Sequence, residues 1–149
     1  MPDLKNSIEA WIALRGSSVA QLRRTLLIGD AHITQDAAYG KLKGLTMMHN
    51  PAVSPVKAYF SDDELVLLYV HAPDPLEIKK LQDRLGQPDH TLRSRAGKRF
   101  THHIYTRQGI AFSLERSGQN AKILEIFTPD ISLETYRATY YVEPGDFSK

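Results

Sequence analysis

The residues with the widest chemical repertoire in this 149-residue chain are its six histidines, its serines and a crowd of arginines near the middle. The tandem His102-His103 invites a metal site. On a strand, however, neighbouring side chains point to opposite faces, so the two rings cannot share one ion. A zinc site here would have to recruit His90 with His102 across two strands, and no further ligands suggest themselves. His102 is therefore read as a satisfied, semi-buried histidine near His90, with His103 facing outward beside Thr101 and Tyr105. No Gly-x-Ser-x-Gly elbow is present, and serines such as Ser18, Ser61 and Ser132 fall at caps and turns. Ala96-Gly97-Lys98-Arg99 lacks the first glycine and the following Ser/Thr of a phosphate loop and reads as a hairpin tip. Asp62-Asp63-Glu64 is an acidic turn without the alternating oxygen ligands of a calcium loop.

One string does carry an enzyme-like signal. Leu26-Leu27-Ile28 followed by Gly29-Asp30-Ala31-His32 resembles the first metal-binding motif of metallophosphoesterases. The resemblance implies that Asp30 and His32 ligate one ion of a two-metal site. The later Gly-Asp-x-x-Asp and Gly-Asn-His contexts of that family are absent. The competing reading is a helix ended by Gly29, with Asp30 and His32 in a turn. The expectation is therefore no catalytic residue, no metal and no cofactor.

Charge says more than motif. The net charge is only +2, from 19 Lys and Arg against 17 Asp and Glu. Residues 79–107 nevertheless hold eight basic side chains against Asp83 and Asp89, a local +6, which leaves −4 on the rest. Pairing Leu92 with Phe100 sets Arg93 opposite Arg99 on the outward face, where like charges destabilise a strand pair. Water screening relieves that repulsion, as does a bound anion. The expected partner-binding surface is thus Arg93, Arg95, Lys98, Arg99, His103 and Tyr105. Its expected partner is an acidic protein surface, or a second copy through the acidic stretch 61–77 (Asp62, Asp63, Glu64, Asp74 and Glu77). Nucleic acid on the basic sheet face is the alternative.

These residues need a scaffold, and the length suits a single domain over 1–149. Composition (42% hydrophobic, 24% charged) is that of a globular protein, and the absence of cysteine removes disulfides, thiolate metal sites and thiol catalysis. No apolar run approaches the roughly 20 residues of a membrane span, and Met1-Pro2-Asp3-Leu4-Lys5-Asn6 has no signal pattern, so no membrane and a cytoplasmic location are expected.

Apolar spacing predicts a helix after Asp3 through Ile12, ended by Gly16. Ser18-Val19-Ala20-Gln21 is a capping box opening a second helix that buries Val19, Leu22 and Leu26. A third helix is predicted from Thr34 to Leu42, stopped by Gly44, then an irregular loop over 45–55. A hairpin follows, Val56–Phe60 and Leu65–Val70, then a helix after Asp74 that buries Leu76, Leu81 and Leu85 and ends at Gly86-Gln87-Pro88. From residue 90 the period becomes two. Leu92 with Phe100 and Ile104 with Phe112 leave three-residue loops ending in Gly97 and Gly109. Strand 122–128 places Leu124 and Ile126 opposite Leu114 and Phe112, and the aromatic tail covers Ile123 and Phe127.

The fold class is therefore α+β: helices on an antiparallel sheet, a C-terminal four-stranded meander, and a tandem helix-plus-sheet repeat. Leu81, Leu85, Gly86 and Pro88, with Gly97, Tyr105, Gly109 and Ile110, lie in residues 74–128. That segment resembles the beta-lactamase-inhibitor-protein-like fold of small outer-membrane assembly lipoproteins. The resemblance implies a scaffold that binds other proteins and carries no catalytic residue. Those lipoproteins are exported and lipidated, whereas this chain shows neither signal nor cysteine.

Overall fold

The capping box works as its sequence dictates. Ser18 Oγ accepts from the Gln21 amide at 3.1 Å, and Gln21 Oε1 accepts from the Ser18 amide at 2.9 Å. Two of the amides that a helix start leaves without partners are thereby satisfied. The computed structural model describes residues 8–26, 32–50, 56–142 and 144. Its elements run α1 (Ile8–Ile12), α2 (Val19–Leu26), β1 (His32–Tyr39), β2 (Leu42–His49), β3 (Val56–Ser61), β4 (Glu64–His71), α3 (Pro75–Leu85), β5 (His90–Arg93), β6 (Phe100–Tyr105), β7 (Ile110–Glu115), β8 (Ala121–Phe127) and α4 (Leu133–Thr139). The expected cap at Asp3 and the Leu27–Asp30 segment lie outside the described residues.

The eight strands form one antiparallel sheet in the order β1-β2-β3-β4-β8-β7-β6-β5. The chain is an α+β protein. Helices α1, α2 and α3 cover one face, burying Trp11, Leu22, Ile78 and Leu81 against Phe60, Leu68, Phe112 and Leu124. The opposite face carries a second core in which Tyr136 of α4, with Tyr140 and Tyr141, meets Leu67, Ile104 and Phe127. Burial on both faces explains why β7 is buried from Ile110 through Leu114, without the alternation of a half-solvated strand.

Several expectations are corrected. Residues 34–42 are not a helix: they form most of β1, the Gly40-Lys41 turn and the first residue of β2. Strand β2 also takes up much of the expected loop, through His49. Two alanines and a possible cap imitated a helix start, but strand pairing wins, accommodated by an irregular ladder and Asp36 at φ 61°. In α3 the Asp74 cap is present, its carboxylate accepting from the Leu76 amide at 2.9 Å. Leu76, however, is 67% exposed, while Ile78 is fully buried. The core stripe therefore runs Ile78, Leu81 and, partly buried, Leu85.

The meander register also shifts. Leu92 faces His102 rather than Phe100, so Arg93 lies opposite Thr101 and not Arg99. The like-charge opposition is relieved by a longer loop. Ile104 pairs with Ala111, one residue from Phe112, which sends Ile104 and Phe112 to opposite faces. Leu124 and Ile126 face Phe112 and Ile110. Alternation could not fix the register of strands buried on both sides. Glycine at the turns was legible, with Gly109 at φ 69° and its amide bonded to the Tyr105 carbonyl at 2.9 Å.

The β1–β2 hairpin does one thing that matters for the site. Residues 46–49 of β2 pair with β3, whereas residues 42–45 pair with β1 alone. Gly44, at φ 73°, sits at this departure. The free end bends over the second face until the Lys41 amide reaches the Thr139 carbonyl at the end of α4, at 3.0 Å. Tyr39 is thereby carried to the middle of the sheet.

Candidate functional site

Glu125 sits on β8, on the face that also presents Ile123 and Phe127, and is 3% exposed. A buried carboxylate needs donors, and it has three. The Tyr39 hydroxyl donates to Oε2 at 2.5 Å, the Tyr136 hydroxyl to Oε1 at 2.5 Å, and His102 Nε2 lies 3.2 Å from Oε1. Burial pushes the Glu125 carboxyl up, but the His102 bond and charge, with the two tyrosine hydroxyls, outweigh it and hold the group below its ordinary value. Burial, followed by the Glu125 charge, pushes Tyr39 and Tyr136 well above the usual phenol range. Both therefore remain donors.

The network continues in two directions. On one side His102 Nδ1 is 2.8 Å from Ser113 Oγ, Ser113 Oγ is 2.6 Å from Ser94 Oγ, and Ser94 Oγ accepts from the Ala96 amide at 3.0 Å. Nε2–H faces Glu125 and Tyr136, and the serine hydroxyls can rotate so that Ser113 either donates to Nδ1 or accepts from it. On the other side Arg95 Nη2 donates to the Tyr39 hydroxyl at 2.7 Å. Its guanidinium lies 5.1 Å from the Tyr39 ring centroid and 5.3 Å from that of Tyr69. Burial disfavours its charge, but Tyr39, Glu125 and Tyr69 more than compensate and raise Arg95 above its ordinary value.

Ser113, His102 and Glu125 stand in the order of a hydrolase relay. Ser113 is fully buried and His102 is 4% exposed, and Ser113 does not line the small cavity beside Glu125. A nucleophile must reach its substrate. The relay instead anchors the loop between β5 and β6 to the sheet and aims Arg95.

Arg95 looks into a cleft of about 520 Å³ on the second face. Tyr39, Tyr59, Tyr69 and Ile123 form its walls. Around them stand Lys57 of β3, His71 of β4, Arg95 and Lys122 of β8. Among the described residues no Asp or Glu lines it. Lys57, His71 and Lys122 are exposed, so their charges face the solvent at the mouth.

The six residues expected to form one surface are distributed differently. Arg93, Lys98 and Arg99 are exposed on or beside the β5–β6 hairpin, as a basic face requires. Arg95 turns inward to the cleft. Tyr105 is 1% exposed beneath the helices and donates to the Gly86 carbonyl at 2.9 Å. His103 is half-buried with its ring 5.3 Å from Phe112, and burial, then the charge of His102, pushes it below its ordinary value. The outward face assumed for His103 and Tyr105 is covered by helices.

His102 is a satisfied buried histidine, although Leu92 rather than His90 lies opposite it. Asp30 lies outside the described residues. His32 is exposed on the edge strand β1, opposite His49, with ring centroids 5.8 Å apart. Among the described residues no three His, Cys, Asp or Glu side chains gather as a metal would require. No helix among them is long and apolar enough to cross a membrane.

Lys57, Tyr59, Tyr69, His71 and Lys122 were not expected in a site. They come from three strands, and only the bend of β1–β2 and the β4–β8 pairing bring them to Arg95. Comparison of the chain with protein-family models, with curated proteins and with solved structures finds no match in any of the three.

Proposed function

We propose that this protein is a non-catalytic cytoplasmic binding module, and that it captures an acidic segment of a partner protein in the Arg95 cleft. The observation that carries the reading is the lining itself: Lys57, His71, Arg95 and Lys122 around tyrosine walls, with no carboxylate among the described residues that line it. Positive charge in a concave, partly apolar setting focuses an attractive field on an anion and steers its approach. Arg95 is already oriented by Tyr39 and stacked on two rings, so little side-chain freedom is lost on binding. The tandem reading of the chain points the same way. Two four-stranded units, β1–β4 and β5–β8, meet through their last strands, and the resemblance of residues 74–128 to the beta-lactamase-inhibitor-protein-like fold implies a protein-binding scaffold.

The test uses two charge reversals at exposed positions. Lys57→Glu with Lys122→Glu alters the cleft, and Lys98→Glu with Arg99→Glu alters the hairpin tip. Binding of a fluorescent poly-glutamate peptide, followed by anisotropy, should fall at least tenfold for the first pair and change less than threefold for the second. Equal losses would return the site to the hairpin surface. No binding by the unaltered protein would end the reading. An oligonucleotide that outcompetes the peptide, with steep salt dependence, would replace it with nucleic-acid binding.

A further inference from the structure

Resting on that reading, we infer that the cleft is built for a phosphomonoester carried on a side chain of the partner protein. The charge count favours a dianion. Lys57, Arg95 and Lys122 are three fixed cations at one cleft, with His71 beside them. The carboxylate of Glu125 lies behind Tyr39 and already accepts from Tyr39, Tyr136 and His102. Glu125 already offsets much of the Arg95 charge, so Lys57 and Lys122 remain to be met. A single carboxylate would leave one of them, whereas a phosphomonoester, at about −1.5 to −2 at pH 7, matches both.

Geometry points the same way. A carboxylate offers two coplanar oxygens, which one guanidinium fork satisfies alone. Here the cations arrive from β3, β4, β8 and the β5–β6 loop and surround a concavity. That arrangement matches the three divergent terminal oxygens of a tetrahedral phosphoryl group. Arg95 hydrogen-bonds both the Tyr39 hydroxyl and Tyr69, and a ligand would use the remaining N–H groups of its five.

The walls describe the carrier. The cleft is open to solvent, and its volume of about 520 Å³ is more than an isolated ion fills. Tyr69 and Ala96, both half-buried, supply apolar contact for the side chain that bears the phosphate. Nucleic acid fits less well. Single-strand binding needs open aromatic faces, and Arg95 lies over the faces of Tyr39 and Tyr69 while Tyr59 is only 6% exposed.

The experiment compares four degenerate peptide pools of identical flanking composition, with phosphoserine, phosphotyrosine, glutamate or serine at the centre, on the full chain. At least one phosphorylated pool should bind ten times or more tighter than the glutamate pool, and phosphatase treatment should remove the gain. Lys57→Met with Lys122→Met, both at exposed positions, should collapse the phospho-pool affinity to that of the glutamate pool while the thermal midpoint stays unchanged. Glutamate binding equal to the phosphorylated pools overturns the phosphomonoester and leaves the acidic-segment reading intact. Failure of all three anionic pools overturns both. Orthophosphate that matches the best peptide pool overturns the protein-borne source, because the apolar walls would then contribute nothing.

Discussion

Replacing Glu125 by Gln tests whether the buried relay holds the second face together. The substitution keeps shape and removes charge. Three bonds change: those from Tyr39 and Tyr136, each 2.5 Å, and the longer one from His102. Hydrogen bonds to a charged acceptor contribute about 1.5–3 kcal/mol and neutral ones about 1 kcal/mol. The Gln carbonyl preserves weakened versions of the Tyr136 and His102 bonds. Its amide group then faces the Tyr39 hydroxyl, which already accepts from Arg95, so donor meets donor at a cost of about 1–3 kcal/mol. Relief of the carboxylate's own desolvation returns part of this, leaving a net loss of about 2–4 kcal/mol near pH 7. That loss is within the stability of an ordinary domain.

Urea unfolding can be followed by the fluorescence of Trp11, the chain's one tryptophan and 1% exposed. The pH dependence supplies a second check. The folded carboxyl is held below its ordinary value, so the unfolded chain takes up this proton first as the pH falls. The stabilisation is complete above the unfolded value of about 4.5 and is lost as pH drops through the lower folded value. The gap between parent and variant should therefore be widest at neutral pH and shrink below about 4.5. A gap under about 0.5 kcal/mol at pH 7, the scatter of surface substitutions, would refute the reasoning. So would a gap that does not narrow in acid.

Two further predictions concern the scaffold and are read by the same unfolding assay. Ile78→Ala should cost about 2–5 kcal/mol and Leu76→Ala less than about 0.5 kcal/mol, because the first is fully buried and the second 67% exposed; similar losses would mean that α3 packs in another rotation. Gly109→Ala should cost clearly more than the roughly 1–2 kcal/mol of a left-handed backbone alone, since its Cβ would lie 2.3 Å from the Phe127 carbonyl, whereas Gly16→Ala meets open space and should cost only that backbone penalty. Equal midpoints for these two variants would show that the β6–β7 turn does not dock on β8.

Local chemistry was readable where one segment contained both partners. The Ser18 and Gln21 box, the Asp74 cap and the Asp62-Asp63 turn each close within a few residues. Register was less readable, because the apolar pattern specifies it only where one face is wet. Strands such as β7 are buried on both faces, so shifts of one or two residues left every apolar side chain with apolar neighbours. Residues 34–42 were misread for a related reason. Their propensities suit a helix, while their role is set by β2 on one side and, beyond Gly44, by the approach to α4.

The cleft and its relay depend on contacts spanning 86 residues from Tyr39 to Glu125 and 56 from Tyr39 to Arg95, which no local pattern records. One signal was nonetheless present. Glu125 shares its face with Ile123 and Phe127, a face expected to lie beneath the aromatic tail. A carboxylate there must find donors, and the tail supplies Tyr136. The same logic connects the relay to the cleft. Without Glu125 behind it, the Tyr39 hydroxyl has no acceptor and no fixed direction, and Arg95 loses the partner that aims it. On the proposed reading, a half-buried arginine that is to bind an anion needs a counter-charge when the site is empty. A counter-charge in direct contact would compete with the ligand. Tyr39 resolves the conflict by standing between them: it takes a proton bond from Arg95 and gives its own to Glu125, so the carboxylate steadies the arginine without occupying the face that the proposed ligand would use.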